Sequence, residues 1–275
     1  MRGIDSAALL LVFLGSLAVA QQASQPIQFT PAPQTVIEER LRGYVRKNSE
    51  REPALRRLFE DAGCDKDALL EQPVKGAKAP NLVCTHTGAT DATIIVGAHF
   101  DLIETGDGVV DNWSGAALLP STLQALAGAP RKHTFEFVAF TGEESGLIGS
   151  KSFVKQLGEQ RSHVKAMVNM DSLGLSDTKV WVSHSDQELV RWLGALAKTM
   201  NLPITCVNVD QVGSTDSEPF REGKIPAITV HSVTQETLKI LHSPADKIEA
   251  IHLDEYYRTY RLVSAYLAFL DQKLE

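Results

Sequence analysis

Four short runs, ATIIVGAH, HTFEFVAF, VKAMVNMD and IPAITVHS, are almost wholly apolar. They are short enough for strands, and their lack of polar alternation predicts strands buried on both faces. Helical patterns stand between them: SGAALLPSTLQALAGA, GLIGSKSFVKQLGE and the amphipathic DQELVRWLGALAKTMN. This alternation, with no break in composition, predicts one α/β domain with helices on both faces of a sheet. NLVCTH and TKVWVSH add further strands. The stretch from Thr35 to about Ala62 has helical spacing, with Gly63 as its stop. Pro120 is expected to kink its helix. A long helix is expected to run from ADKIEA, beginning at Ala245, to the end of the chain.

In open α/β sheets, chemistry gathers at the carboxyl ends of strands. IIVGAHFD ends in His99 and Asp101, FVAFTGEES in Glu143 and Glu144, and VNMDSLG in Asp171. GVVDNWSGAA sets Asp111 just before a helix, and LHSPAD sets His242 in a loop before the last one. Each has an ordinary reading when taken singly. A strand-end histidine is commonly just satisfied, an Asp before a helix caps it, and a Glu pair is solvated. Asp171, flanked by apolar residues, requires a partner. Taken together they suit a pair of metal ions. Imidazole nitrogen and carboxylate oxygen are zinc ligands. Two divalent ions roughly 3.5–4 Å apart share a bridging carboxylate. Such cations would keep a cluster of acids ionised together.

The motifs GAHFD, DNWSGAA, FTGEESGLIGS, NMDSLG and LHSPADKIE resemble the M28 family of zinc peptidases, the secreted bacterial aminopeptidase group, in the family's order. The resemblance runs from about Asn81 to the C-terminal helix. It implies a three-layer α/β/α fold around a mixed, mostly parallel eight-stranded sheet. It also implies two zinc ions per chain and hydrolysis of peptide bonds, usually at peptide or protein N-termini. His99 and Asp171 would hold one zinc, Glu144 and His242 the other, and Asp111 would bridge. Glu143 would be the general base, and Asp101 would accept the second N–H of His99. Val110 departs from the acidic or small residue usual before the bridging Asp, which bears on the shape of that loop.

Three rival readings stand beside this one. Glutaminyl cyclases share the fold, use one zinc and typically lack the DNxSG form present here. Carboxypeptidases and dipeptidases use the same metal chemistry. A non-catalytic binding module would normally have lost a ligand or the base, and none is missing. In the loop before Asp111, Glu104 and Asp107 either face substrate or are solvated loop charges. Asp216, in GSTDSEPFREGKIPA, is expected to brace the cleft as a structural residue.

The N-terminus reads as a leader. Arg2, an apolar run from Ala7 to Ala20 and the closing AVA form a signal-peptide pattern over residues 1–20, against the alternative of an uncleaved anchor. The polar, Pro-rich residues 21–34 read as a flexible linker and residues 35–275 as a single peptidase-like domain. The mature chain is then exported, periplasmic or extracellular, with no stable membrane partner. Of three cysteines, Cys64 and Cys84 could pair; the alternative is three buried thiols. The net charge of −7 and the lack of a Lys/Arg cluster exclude a nucleic-acid partner.

Overall fold

The computed structural model describes residues 26–207 and 213–275. The expected leader lies outside the described residues. Among the described residues eight strands form one mixed sheet in the order β1-β2-β4-β3-β5-β8-β6-β7. The four apolar runs supply its centre: β3 (Thr93–His99), β4 (Thr134–Phe140), β5 (Val164–Met170) and β8 (Ala227–His231). These four are adjacent and parallel, so their carboxyl ends share one edge of the sheet. β2 (Asn81–His86) runs antiparallel to β4, and β1 (Leu69–Gln72) antiparallel to β2. On the far side β6 (Thr178–Trp181) is antiparallel to β8 and parallel to β7 (Ile204–Val207).

Alternate residues of the central strands feed two cores, as the period of two requires. Ile94, Val96 and Ala98 of β3 face one layer, and Ile95 faces the other. The larger layer holds α1 (Gln34–Arg42), α2 (Asn48–Asp61), α3 (Ser114–Ala127), α5 (Gln187–Thr199) and α7 (Leu253–Lys273). The smaller holds α4 (Ile148–Leu157) and α6 (Glu218–Glu222), where Phe140, Phe153 and Phe220 pack ring against ring. The architecture is the expected three-layer α/β/α sandwich.

Several boundaries differ from expectation. The span from Thr35 to Ala62 is two helices, broken at Gly43–Lys47. α3 continues through Pro120, because the helix is buried on nearly every side and packing outweighs the missing backbone donor. Only Thr178–Trp181 of TKVWVSH is strand; Val182–His184 closes into a 3₁₀ turn. α7 starts at Leu253 and not at Ala245, because Asp246 turns its side chain to backbone N–H groups elsewhere and His252 N donates to Gly174 O (2.8 Å).

The segment expected as a flexible linker is docked where it is described. Arg131 donates to Gln28 O, Thr30 N to Ala125 O and Ala32 N to the Tyr260 hydroxyl, all at 2.9 Å. Among the described residues no helix is long and apolar enough to cross a membrane. Cys64 and Cys84 form a disulfide that ties the turn after α2 to β2, and Cys206 is free and exposed. The bridge closes a loop of sequence separation 20. Cys64→Ser/Cys84→Ser should therefore lose about 2–4 kcal/mol of stability in denaturant titration. An unchanged midpoint would show that the bridge does not constrain the chain.

Candidate metal centre

The shared carboxyl edge brings the five expected ligands together. Asp111 stands at the centre. Its Oδ1 lies 3.3 Å from His99 Nε2, and its Oδ2 lies 3.1 Å from His242 Nε2. Asp171 Oδ1 is 3.8 Å from the same His99 nitrogen, and Glu144 Oε2 is 3.0 Å from the same His242 nitrogen. Two groups of three donors result, His99–Asp111–Asp171 and Asp111–Glu144–His242, with Asp111 common to both. Donors held about 2.0–2.2 Å from one tetrahedral zinc lie roughly 3.4 Å from each other. The observed separations bracket that figure. Glu143 stands with Glu144 and His99 in a third group.

Local structure explains how each donor arrives. Asn112, joined to Asp111 by a cis peptide bond, donates to Met170 O (2.9 Å). Its side-chain oxygen accepts from Gly115 N (3.0 Å) and Ser172 N (3.1 Å). One amide thus clips the Asp111 turn to the end of β5, next to Asp171. The clip requires close backbone approach: a Cβ on Gly115 would meet Met170 O at 2.4 Å. Ser114 Oγ donates to Val110 O (2.8 Å) and accepts from Leu173 N (2.9 Å), closing the same seam. These contacts leave room only for small residues at Ser114 and Gly115.

Asp101 departs from expectation. Its Oδ1 is 3.6 Å from His99 Nδ1, longer than a hydrogen bond. Its carboxylate instead accepts from the backbone of Glu143 (3.1 Å) and Glu144 (3.2 Å), so it holds the turn that aims both glutamates. Asp246 was not foreseen. It accepts from Val110 N (2.7 Å) and Asp111 N (3.2 Å), fixing the turn that presents Asp111. Its place in LHSPAD, four residues after His242, was the available signal. Asp107 neither faces substrate nor is solvated; it is buried and pairs with Arg46 at 2.8 Å. Glu104 is exposed.

Electrostatics give the test of fit. Burial pushes the Glu143 carboxyl up to about 10, with Asp216, Asp171 and Asp111 adding to it and His99 opposing. Burial likewise raises Glu144 to about 7, helped by Asp111, and raises Asp216 to about 7. Asp216 is fully buried and, where ionised, raises the Glu143 carboxyl. Burial alone would lower His99, but Glu143 and the neighbouring carboxylates of Asp101, Asp111 and Asp171 carry it well above its ordinary value. The hydrogen bond that His242 donates to Asp111 raises its imidazole to about 9. Burial works against ionised Asp111, yet the two imidazoles hold it below its ordinary value. Glu144 Oε1 is buried without a hydrogen-bond partner among the described residues. So many carboxyls around two imidazoles lack positive charge, and the nitrogen and oxygen donor set suits zinc.

A cavity of about 520 Å³ opens from the cluster and is bounded beyond it by Trp181, His231, Val233, Leu238 and Leu241. His231 accepts from Val233 N (3.2 Å) through Nδ1, and burial lowers it to about 4, so it is neutral. Ordinary strand-end reading passed over it.

With this geometry in view, the family profile described as "Peptidase family M28" matches residues 81–267. The chain belongs to peptidase family M28. Among curated proteins, the aminopeptidase YwaD of Bacillus subtilis is 30% identical over 182 residues, 62% of this chain and 40% of that protein. The chain covers 59%, 40% and 63% of the first three curated relatives it matches, so it is shorter than each. Among solved structures, the LapA aminopeptidase of Legionella pneumophila superposes with a TM-score of 0.78 at 22% identity, over 88% of this chain and 73% of that one. A glutaminyl cyclase from an Acidobacteriales bacterium superposes with a TM-score of 0.73 at 16% identity, over 91% of this chain and 99% of that one. At these identities the two structures bear on the fold alone.

The raised groups set a pH dependence for metal-free protein. A carboxyl raised in the folded state keeps a proton that the unfolded chain has released, so stability falls as pH rises. Raised His242 acts in the same direction, its contribution being lost as pH climbs through the folded value. Chelator-treated protein should therefore lose melting temperature from about pH 4.5 to about pH 10, and added zinc should flatten the curve. A flat metal-free curve would contradict the electrostatic reading.

Proposed function

We propose that the protein is a zinc-dependent aminopeptidase with two metal ions per chain. The observation that carries this is Asp111, whose two oxygens face different histidines, each backed by a further carboxylate. His99 and Asp171 would hold one ion, Glu144 and His242 the other, and Asp111 both. Zinc at such a site supplies an activated water and polarises the scissile carbonyl. Glu143 takes the proton of the attacking water and returns it to the leaving amine. Burial raises this carboxyl in the metal-free chain, and nearby cations would lower it toward the range in which it can take and return a proton. Asp101 keeps Glu143 aimed through the backbone hydrogen bond. The aminopeptidase relatives support action at a free N-terminus, with peptides or proteins as substrates.

Export belongs to the same reading. The apolar run closed by AVA supports a cleaved leader, and the Cys64–Cys84 disulfide suits an oxidising compartment.

The test is Glu143→Gln, assayed on chromogenic aminoacyl anilides with free and blocked amino groups and a chelator control. Metal content should stay near normal while turnover falls by at least about a hundredfold. Free substrates should be cleaved and blocked ones spared. Retained turnover would overturn the role of Glu143. Cleavage of blocked substrates alone would overturn the aminopeptidase assignment, and ring closure of an N-terminal glutamine without cleavage would replace it with a cyclase.

A further inference from the structure

The loop from Phe100 to Gly108 joins His99 at the end of β3 to the turn that carries Asp111. It has no regular structure, and its middle, at Ile103 and Glu104, is exposed. Its two ends are nevertheless held from one place, the stretch Tyr44–Arg51 between α1 and the first turns of α2. That stretch lies outside the segment matched by the family.

Arg51 is fully buried, and among the described residues its hydrogen bonds go to backbone carbonyls. Nη1 donates to Phe100 O (2.9 Å), Nη2 to Asp107 O (2.7 Å) and Gly108 O (2.8 Å), and Nε to Val45 O (2.9 Å). The guanidinium carbon lies 5.5 Å from the ring centroid of Trp113, two residues past Asp111. Asn48, the first residue of α2, pairs with Leu102 in both directions, each bond at 3.0 Å. Arg46 and Tyr44 reach the Asp107 carboxylate at 2.8 and 3.4 Å. Gly108 has φ +59°, and a Cβ there would come within 2.7 Å of Arg51 Nη2. The backbone can approach the guanidinium this closely only without a side chain.

Burying a guanidinium is costly unless its donors are met. Here they are met by carbonyls from both ends of one loop. The planar fork of Arg presents its donors in fixed directions, so it sets where those carbonyls stand. Phe100 follows His99, and Gly108 stands three residues before Asp111. The fork therefore spans the gap between the two residues whose side chains meet at 3.3 Å. A flexible loop would let that separation vary.

We propose that Tyr44–Arg51, acting through Arg51 and Asn48, is a positioning device for the metal centre: it sets the separation of His99 and Asp111, and so zinc affinity, without touching metal or substrate. This rests on the metal reading above. The N-terminal helices then belong to the working site and are not a mere appendage to the family fold.

The experiment is zinc titration against a chromophoric chelator for wild type, Asn48→Ala, Arg51→Lys and Arg51→Met, paired with thermal melts of each protein free of metal. Residues behind the ligands typically govern affinity by about 10–100-fold. Asn48→Ala and Arg51→Lys should each weaken zinc binding at least about tenfold. Arg51→Lys, which keeps the charge but not the fork, should bind zinc more tightly than Arg51→Met. The metal-free melt of Asn48→Ala, a half-buried site, should shift little. Should the Arg51 variants fail to fold, Asn48→Ala alone decides. Wild-type affinity in the folded variants, or a lower melt with unchanged affinity, overturns the positioning role and leaves the metal reading standing. A wild type that binds no zinc overturns both.

Discussion

One carboxylate between two imidazoles organises the upper edge of this protein. Asp111 cannot be moved without separating His99 from His242, because its two oxygens meet one each. The surrounding charges make the arrangement costly by itself. Glu143, Glu144 and Asp216 are all pushed upward by burial and by their acidic neighbours. Like charges gathered in a half-buried site persist when cations hold them. Much of the remaining structure serves to keep that cluster assembled.

The fold meets this need through adjacent parallel strands. Their common direction places the ends of β3, β4 and β5 side by side, which a meander would not do. Backbone hydrogen bonds then refine what topology makes approximate. Asn112 ties the Asp111 turn to β5, Asp246 ties it to the last loop, and Asp101 ties β3 to the glutamate turn. Each link is a side chain grasping backbone from a different element, so an error in one strand end is passed to the others. Arg51 brings α2 into the same mesh.

The fold class and the gathering of His99, Asp111, Glu144, Asp171 and His242 at one edge were legible, because strand ends and the order of the motifs mark those positions. A run such as TIIVGAH is short, apolar and closed by a polar residue, and it says at once where a strand lies and where it ends. The roles of Arg51 and Asp246 were not legible. Arg51 sits in an amphipathic helix where a basic residue suggests solvent, and only the tertiary structure shows it fully buried. Asp246 looked like part of a helix whose true start is Leu253. Asp101 stood where expected, but the sequence could not tell that its carboxylate would hold backbone N–H groups in place of the His99 ring. Patterns of period two and 3.6 locate elements; they are silent about long-range hydrogen bonds between loops.

The central claim is that Asp111 serves two metal ions at once. Zinc stoichiometry, measured on wild type and on Asp111→Ala after equilibration with metal and removal of the excess, tests it most directly. Wild type should retain two ions per chain. The variant, deprived of a ligand in both donor groups, should retain less than one. A wild type holding a single ion, or a variant that keeps its metal with wild-type affinity, would contradict the shared-carboxylate centre.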